Sequence, residues 1–114
     1  MLDTTRLTTA VDSFADRLRA APQSRLQRSA AAEALELARG LSAWAQRLEA
    51  ERLAGARGAA VEEAEPRVMP EAGMFAVADQ ITVAAHDLAV VLEETGQVDR
   101  AVAMVEEAQR RAAV

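Results

Sequence analysis

From Ser24 to about Leu53 the chain places an apolar residue every three or four positions, at Leu26, Ala30, Ala34, Leu37, Leu41, Trp44 and Leu48. Such steps keep side chains on one face of an α-helix, because each residue is turned by about 100° from the last. A helix of this length spans about 45 Å. The rest of the chain must supply shorter pieces that pack along its face, and 114 residues suit one domain for that purpose.

The other segments repeat the pattern. Asp3 is suited to cap a first helix over about 4–20, with Leu7, Val11, Phe14 and Leu18 as its inner stripe and Pro22 beyond its end. Ser24 with Gln27 reads as a capping box that opens the long helix, which leaves a loop of about three residues and makes the first two helices antiparallel. The stripe keeps its phase across Gly40, which predicts a close neighbour or a slight bend there, with a break into two helices as the alternative. Between Gly55 and Met69 periodicity is lost among Glu62, Glu63, Glu65 and Pro66, which predicts a flexible loop over 55–69. Pro70 suits the first turn of a third helix over about 70–94, whose inner face holds Met74, Val77, Ile81, Ala84, Ala85, Leu88, Val91 and Leu92. Thr95 and Gly96 are expected to stop it, and a fourth helix follows over about 98–112. These lengths predict an all-α antiparallel four-helix bundle, short-long-long-short, with the short connections together at one end and the 55–69 loop capping the other.

About a quarter of the residues are Ala, and the aromatics are Phe14, Trp44 and Phe75 alone. Small side chains let helices approach closely but each buries little area, so modest stability or help from oligomerisation is expected. Every basic residue is Arg, a bias that goes with a GC-rich, bacterial source. Net charge is −5, distributed unevenly: residues 1–57 hold nine Arg against seven acids, and 58–114 hold four Arg against eleven. Attraction between the two halves is the simplest use of that asymmetry.

Most catalytic chemistry lacks its residues. The absence of Cys removes disulfides and thiolate sites. Glycines never cluster as a phosphate-binding loop, and no serine sits in a nucleophile-elbow context. His86 is the single histidine, with Asp79, Asp87 and Glu93 near it in sequence but no Glu-x-x-His pair, so no metal site or other cofactor is expected. The acid pairs Glu62-Glu63, Glu93-Glu94 and Glu106-Glu107 diverge by about 100° on a helix and have nothing apolar around them to raise a pKa. A basic footprint of Arg17, Arg19, Arg25, Arg28 and Arg39 has no aromatic stacking partners in an acidic chain, which weighs against nucleic acid. Neither a leader-like segment nor a long apolar run is evident, so the expectation is a cytoplasmic protein without a membrane partner.

The last two helical segments resemble one tetratricopeptide-type hairpin. The resemblance is carried by Ala85, Leu88, Ala89, Leu92, Gly96, Ala101, Val105 and Ala108, although Ala85, Leu92 and Val105 stand where that family has large aromatics and no proline closes the unit. It covers residues 85–108 once and implies protein or peptide binding without catalysis.

The reading that remains is a non-enzymatic helical interaction module that self-associates, most simply as a dimer. Phe75, Val83 and Val90 fall on the outer side of the third helix, and the overhang of the long helix presents Trp44, Leu48 and Leu53; these six are the candidate partner-binding residues. The alternative is a small-ligand-binding bundle with a pocket among Trp44, Leu48, Met74 and Val77, where an Ala-rich core beside a Trp leaves room.

Overall fold

The computed structural model of the chain describes residues 2–58 and 67–114. Four helices pack against one another as an all-α bundle: α1 (Thr5–Ala20), α2 (residues 23–57), α3 (Val77–Val91) and α4 (Thr95–Ala112). Helix α2 is continuous but not uniform, running as α-helix at Gln23–Arg25, as a π turn at Leu26–Ala30 and as α-helix again at Ala31–Arg57. The π turn has a reason in the sequence. Leu26, Ala30 and Ala34 are separated by two successive steps of four, which on a regular helix would rotate the stripe by about 80°. A wider turn removes most of that drift, and both Leu26 and Ala30 are buried.

Side-chain contacts between distant residues fix the helix directions. Arg25 donates to the Ala113 carbonyl at 2.6 Å, and the Arg100 guanidinium lies 4.6 Å from the centre of the Trp44 ring, so α4 runs antiparallel to α2. Arg19 pairs with Asp79 at one end of the bundle, while Asp87, Val90 and Val91 lie beside Ser42, Ala45 and Glu49 farther along. Helix α3 therefore runs parallel to α2. Both α3 and α4 pack chiefly on α1 and α2 and little on each other, which makes two layers in a body 50 Å long and 17 Å thick.

This arrangement corrects the expected antiparallel order of the two middle helices. The short connections, Ala21–Pro22 and 92–94, lie at opposite ends, and residues 67–69 run back along α2 before α3 begins. Gln46 grips the returning segment from both sides: its Nε2 donates to the Arg67 carbonyl and its Oε1 accepts the Arg67 N–H, each at 2.8 Å. Arg39 Nε donates to the Met69 carbonyl at 2.9 Å, and Gln80 Nε2 to the Pro70 carbonyl at 2.8 Å. Residues 59–66, the centre of the expected flexible loop, lie outside the described residues.

Several boundaries differ for local reasons. Helix α2 persists past Gly55 and ends at Gly58, whose φ of 66° is the left-handed conformation that a helix end favours. Residues 70–76 are not helical, because Gly73 has φ 92° and the Pro70 carbonyl is occupied by Gln80, so the third helix is short and starts at Val77. It stops at Leu92 without help from Gly96. Glu94 and Gln97 form a capping box, Gln97 Oε1 accepting the Glu93 and Glu94 N–H groups at 2.9 and 3.1 Å, and Gly96 falls in the first turn of α4. The box expected at Ser24 and Gln27 does not form, since Pro22 occupies the cap position and helix begins at Gln23. At the N-terminus Asp3 Oδ1 accepts the Thr5 N–H at 2.9 Å, and the Thr5 side chain, together with that N–H, holds the Asp3 carboxyl below its ordinary pKa.

The core follows the apolar stripes: Leu7, Val11 and Phe14 of α1, Leu37 and Leu41 of α2, Ile81 and Leu88 of α3, and Val98 and Val105 of α4 are buried. Ala34, Ala38, Ala84, Ala85 and Ala101 fill positions between helices that come close together. Arg6–Asp99 and Arg19–Asp79 join the Arg-rich first half to the acidic second half. Both pairs are solvent-exposed, so each contributes no more than about 1 kcal/mol. Gly40 faces the end of the Met104 side chain, where an added methyl would sit 3.6 Å from Cε, an ordinary contact. Gly40→Ala is thus expected to stabilise the fold by about 0.5–1 kcal/mol through helix propensity. Thermal unfolding followed by circular dichroism checks this, and a lowered midpoint would show that α4 needs the bare backbone there.

Candidate functional site

Helix α3 is apolar on more than one side. Val77, Ile81, Ala84, Ala85 and Leu88 face the core, and Val83 and Val90 stand on the outer surface, 52% and 77% exposed. They are seven residues apart, hence on one face two turns apart, with Asp87 between them. The outer valines are the part of the candidate surface that forms a single row. Phe75, 75% exposed, belongs to the turn before α3, and Leu53, 52% exposed, lies at the far end of α2. The structure does not gather all of them into one patch.

Trp44 and Leu48 have different positions from the one the overhang suggested. Trp44 is only 6% exposed, its ring closed over by Arg100 of α4, and Leu48 is half-buried. Of the other residues expected to line a ligand pocket, Val77 is buried and Met74 packs against the core. An open groove of about 470 Å³ lies elsewhere, and none of Trp44, Leu48, Met74 and Val77 lines it.

The groove is bounded by Ser42, Ala45, Gln46 and Glu49 of α2, by Arg67, Val68 and Met69 of the returning segment, and by Asp87, Val90 and Val91 of α3. Its α2 wall is a ridge at spacings of three and four, so these four side chains share one helix face. Val68 is 66% exposed and lines the groove together with Val90. Sequence periodicity missed Val68 and the groove, because they exist only where the chain doubles back. A local signal was present nonetheless: Pro70 restricts Met69 to an extended conformation, which disfavours helix through this stretch.

The chemistry on this surface is apolar contact with a charged margin. His86 is exposed beside Asp87, and among the described residues no three His, Asp or Glu side chains come close enough to hold a metal ion. No described helix is long and apolar enough to cross a membrane. Glu107 has a carboxyl held below its usual pKa by the Arg110 guanidinium; the pair belongs to the exterior of α4, away from the groove. Compared with known proteins, the chain matches no protein-family model, no characterised sequence and no solved structure.

Proposed function

We propose that this protein is a non-enzymatic interaction module that offers the outer face of α3 and the adjoining groove to a helix of a protein partner. The observation that carries the reading is the exposure of Val83 and Val90 on one face of α3, with Val90 lining the groove together with the exposed Val68. Isolated exposed valines are ordinary on a soluble surface, but three that gather beside a groove have the form of a helix-docking site. Self-association is one form of this reading. Charge weighs against it, because a two-fold axis passing midway between Val83 and Val90 would set Asp87 beside its own counterpart.

A photo-crosslinking amino acid placed at position 90 tests the reading in cells, with the exposed Arg28 on α2 as the comparison position. A discrete protein adduct is expected from position 90 and none from position 28. An adduct at twice the chain mass identifies a second copy, and any other mass a different partner. Absence of adducts at position 90, or equal yields at both positions, would remove the proposal.

A further inference from the structure

The surface that carries the exposed valines is also acidic by construction. Between residues 68 and 99 the chain contains Glu71, Asp79, Asp87, Glu93, Glu94 and Asp99 and not one Arg or Lys. Asp79 and Asp99 are engaged by Arg19 and Arg6 across the layers. Asp87 lies between the two outer valines, Glu49 stands on the opposite wall of the groove, and neither has a basic partner among the described residues. Glu93 follows at the end of α3 and is exposed. Arg67 is the one cation among the lining residues of the groove, so the two carboxylates of Glu49 and Asp87 leave the lining with one net negative charge.

An apolar row flanked by an excess of carboxylates selects for charge as well as for shape. A docked helix leaves its apolar side on Val83 and Val90 and brings its flanking residues within a few ångströms of Asp87 and Glu49, where like charge repels and opposite charge attracts. A second copy meeting this face through a two-fold axis would bring carboxylates to carboxylates. Building on the interaction-module reading, we infer that the occupant is an amphipathic helix of another protein with an Arg- or Lys-rich margin. Val83, Val90 and Val68 take its apolar stripe, and Asp87, Glu49 and Glu93 take its cations. Helix-in-groove recognition of this kind needs apolar anchors at spacings of three, four and seven, which match the seven-residue step from Val83 to Val90.

Two labelled synthetic helices of about five turns test this. They share one Leu stripe and differ only in carrying Arg or Glu on its flanks, and each is titrated onto the whole protein by fluorescence anisotropy. The Arg-flanked helix is expected to bind saturably, at least about tenfold more tightly than the Glu-flanked one, and to weaken as salt is added. Val83→Asn with Val90→Asn is expected to lower its affinity by about tenfold or more, and Asp87→Asn with Glu49→Gln by about threefold to tenfold. All four positions are exposed or at the groove margin, and unchanged thermal midpoints establish that the variants are folded. Equal affinity for the two helices, or wild-type affinity in the double valine variant, overturns the inference. If both helices bind equally and both are lost with the valines, the interaction surface stands and its charge preference falls. A dimer by light scattering that the valine variant dissociates overturns the inference in favour of a second copy. Failure of both helices to bind, together with no adduct from position 90, removes the module reading as well.

Discussion

Phe14→Ala is expected to cost about 3–5 kcal/mol of folding free energy, a large share of the roughly 5–15 kcal/mol available to a domain. Phe14 is completely inaccessible to solvent and projects from α1, which packs on both α3 and α4. It is one of three aromatic residues, and the other two do different work: Trp44 closes the contact of α2 with α4, and Phe75 is exposed. Truncation leaves a cavity whose cost depends on how far the surroundings can relax. Much of this core is Ala, including the fully buried Ala84, Ala85 and Ala101 of the facing helices, and Ala has no rotamers with which to fill a gap. Relaxation would require helix movement, which places the expected loss toward the upper end. Urea unfolding measures it, with Leu53→Ala at an exposed position as the comparison, expected to stay within about 0.5 kcal/mol of wild type. A loss below about 1 kcal/mol for Phe14→Ala would mean that α1 does not pack on the second layer as described.

What periodicity encodes is the inner face of each helix. The stripe on α2 and the residues Leu7, Val11 and Phe14 were readable because burial and helical phase coincide, and the all-α bundle followed from them. Helix direction was not readable in the same way. Pro70 and Glu71 have the composition of a helix start, yet Gly73 takes a left-handed φ and Gln80 captures the Pro70 carbonyl, so the segment passes through a turn and is not helical until Val77. The choice depends on groups ten residues apart and has no periodic signature. The same holds for the cap that ends α3. Glu94 and Gln97 fit the acid-then-amide spacing of a capping box, but Gly96 is the stronger local cue for a helix stop and points to the wrong residue.

The candidate surface divides along the same line. Val83 and Val90 could be placed outside by counting 100° per residue from Ile81 and Leu88, since both pairs belong to one regular helix. Trp44 could not, because the residue that covers it, Arg100, is distant in sequence and charged, whereas an apolar stripe predicts apolar cover. The groove required three segments to meet, with Gln46 holding the middle one in place. A polar residue on the outer face of a long helix reads as solvated until its partner is known.

Gln46 is therefore the residue on which the crossover most depends. Its amide makes two hydrogen bonds to the backbone of Arg67, and its Nε2 also lies 3.1 Å from the Ser42 hydroxyl oxygen. A side-chain amide that both donates to and accepts from one residue copies the pairing of a neighbouring strand, so it fixes the position of the returning chain along α2 as well as its distance. Each such bond contributes about 0.5–1.5 kcal/mol net, and removing both is expected to weaken the local closure by about 1–3 kcal/mol. Gln46→Ala should then accelerate amide exchange at Arg67 by about fivefold to 150-fold, with little change at the buried stripes of α1 and α4. Arg39 and Gln80 still hold Met69 and Pro70 in that variant, so the segment is expected to loosen from its Arg67 end first. Because Arg67 and Val68 line the groove, the same variant should lower affinity for a docked helix without altering α3 itself. Unchanged exchange at Arg67 would show that Gln46 is dispensable for the return path. Faster exchange throughout the bundle would show instead that the crossover and the core unfold as one unit.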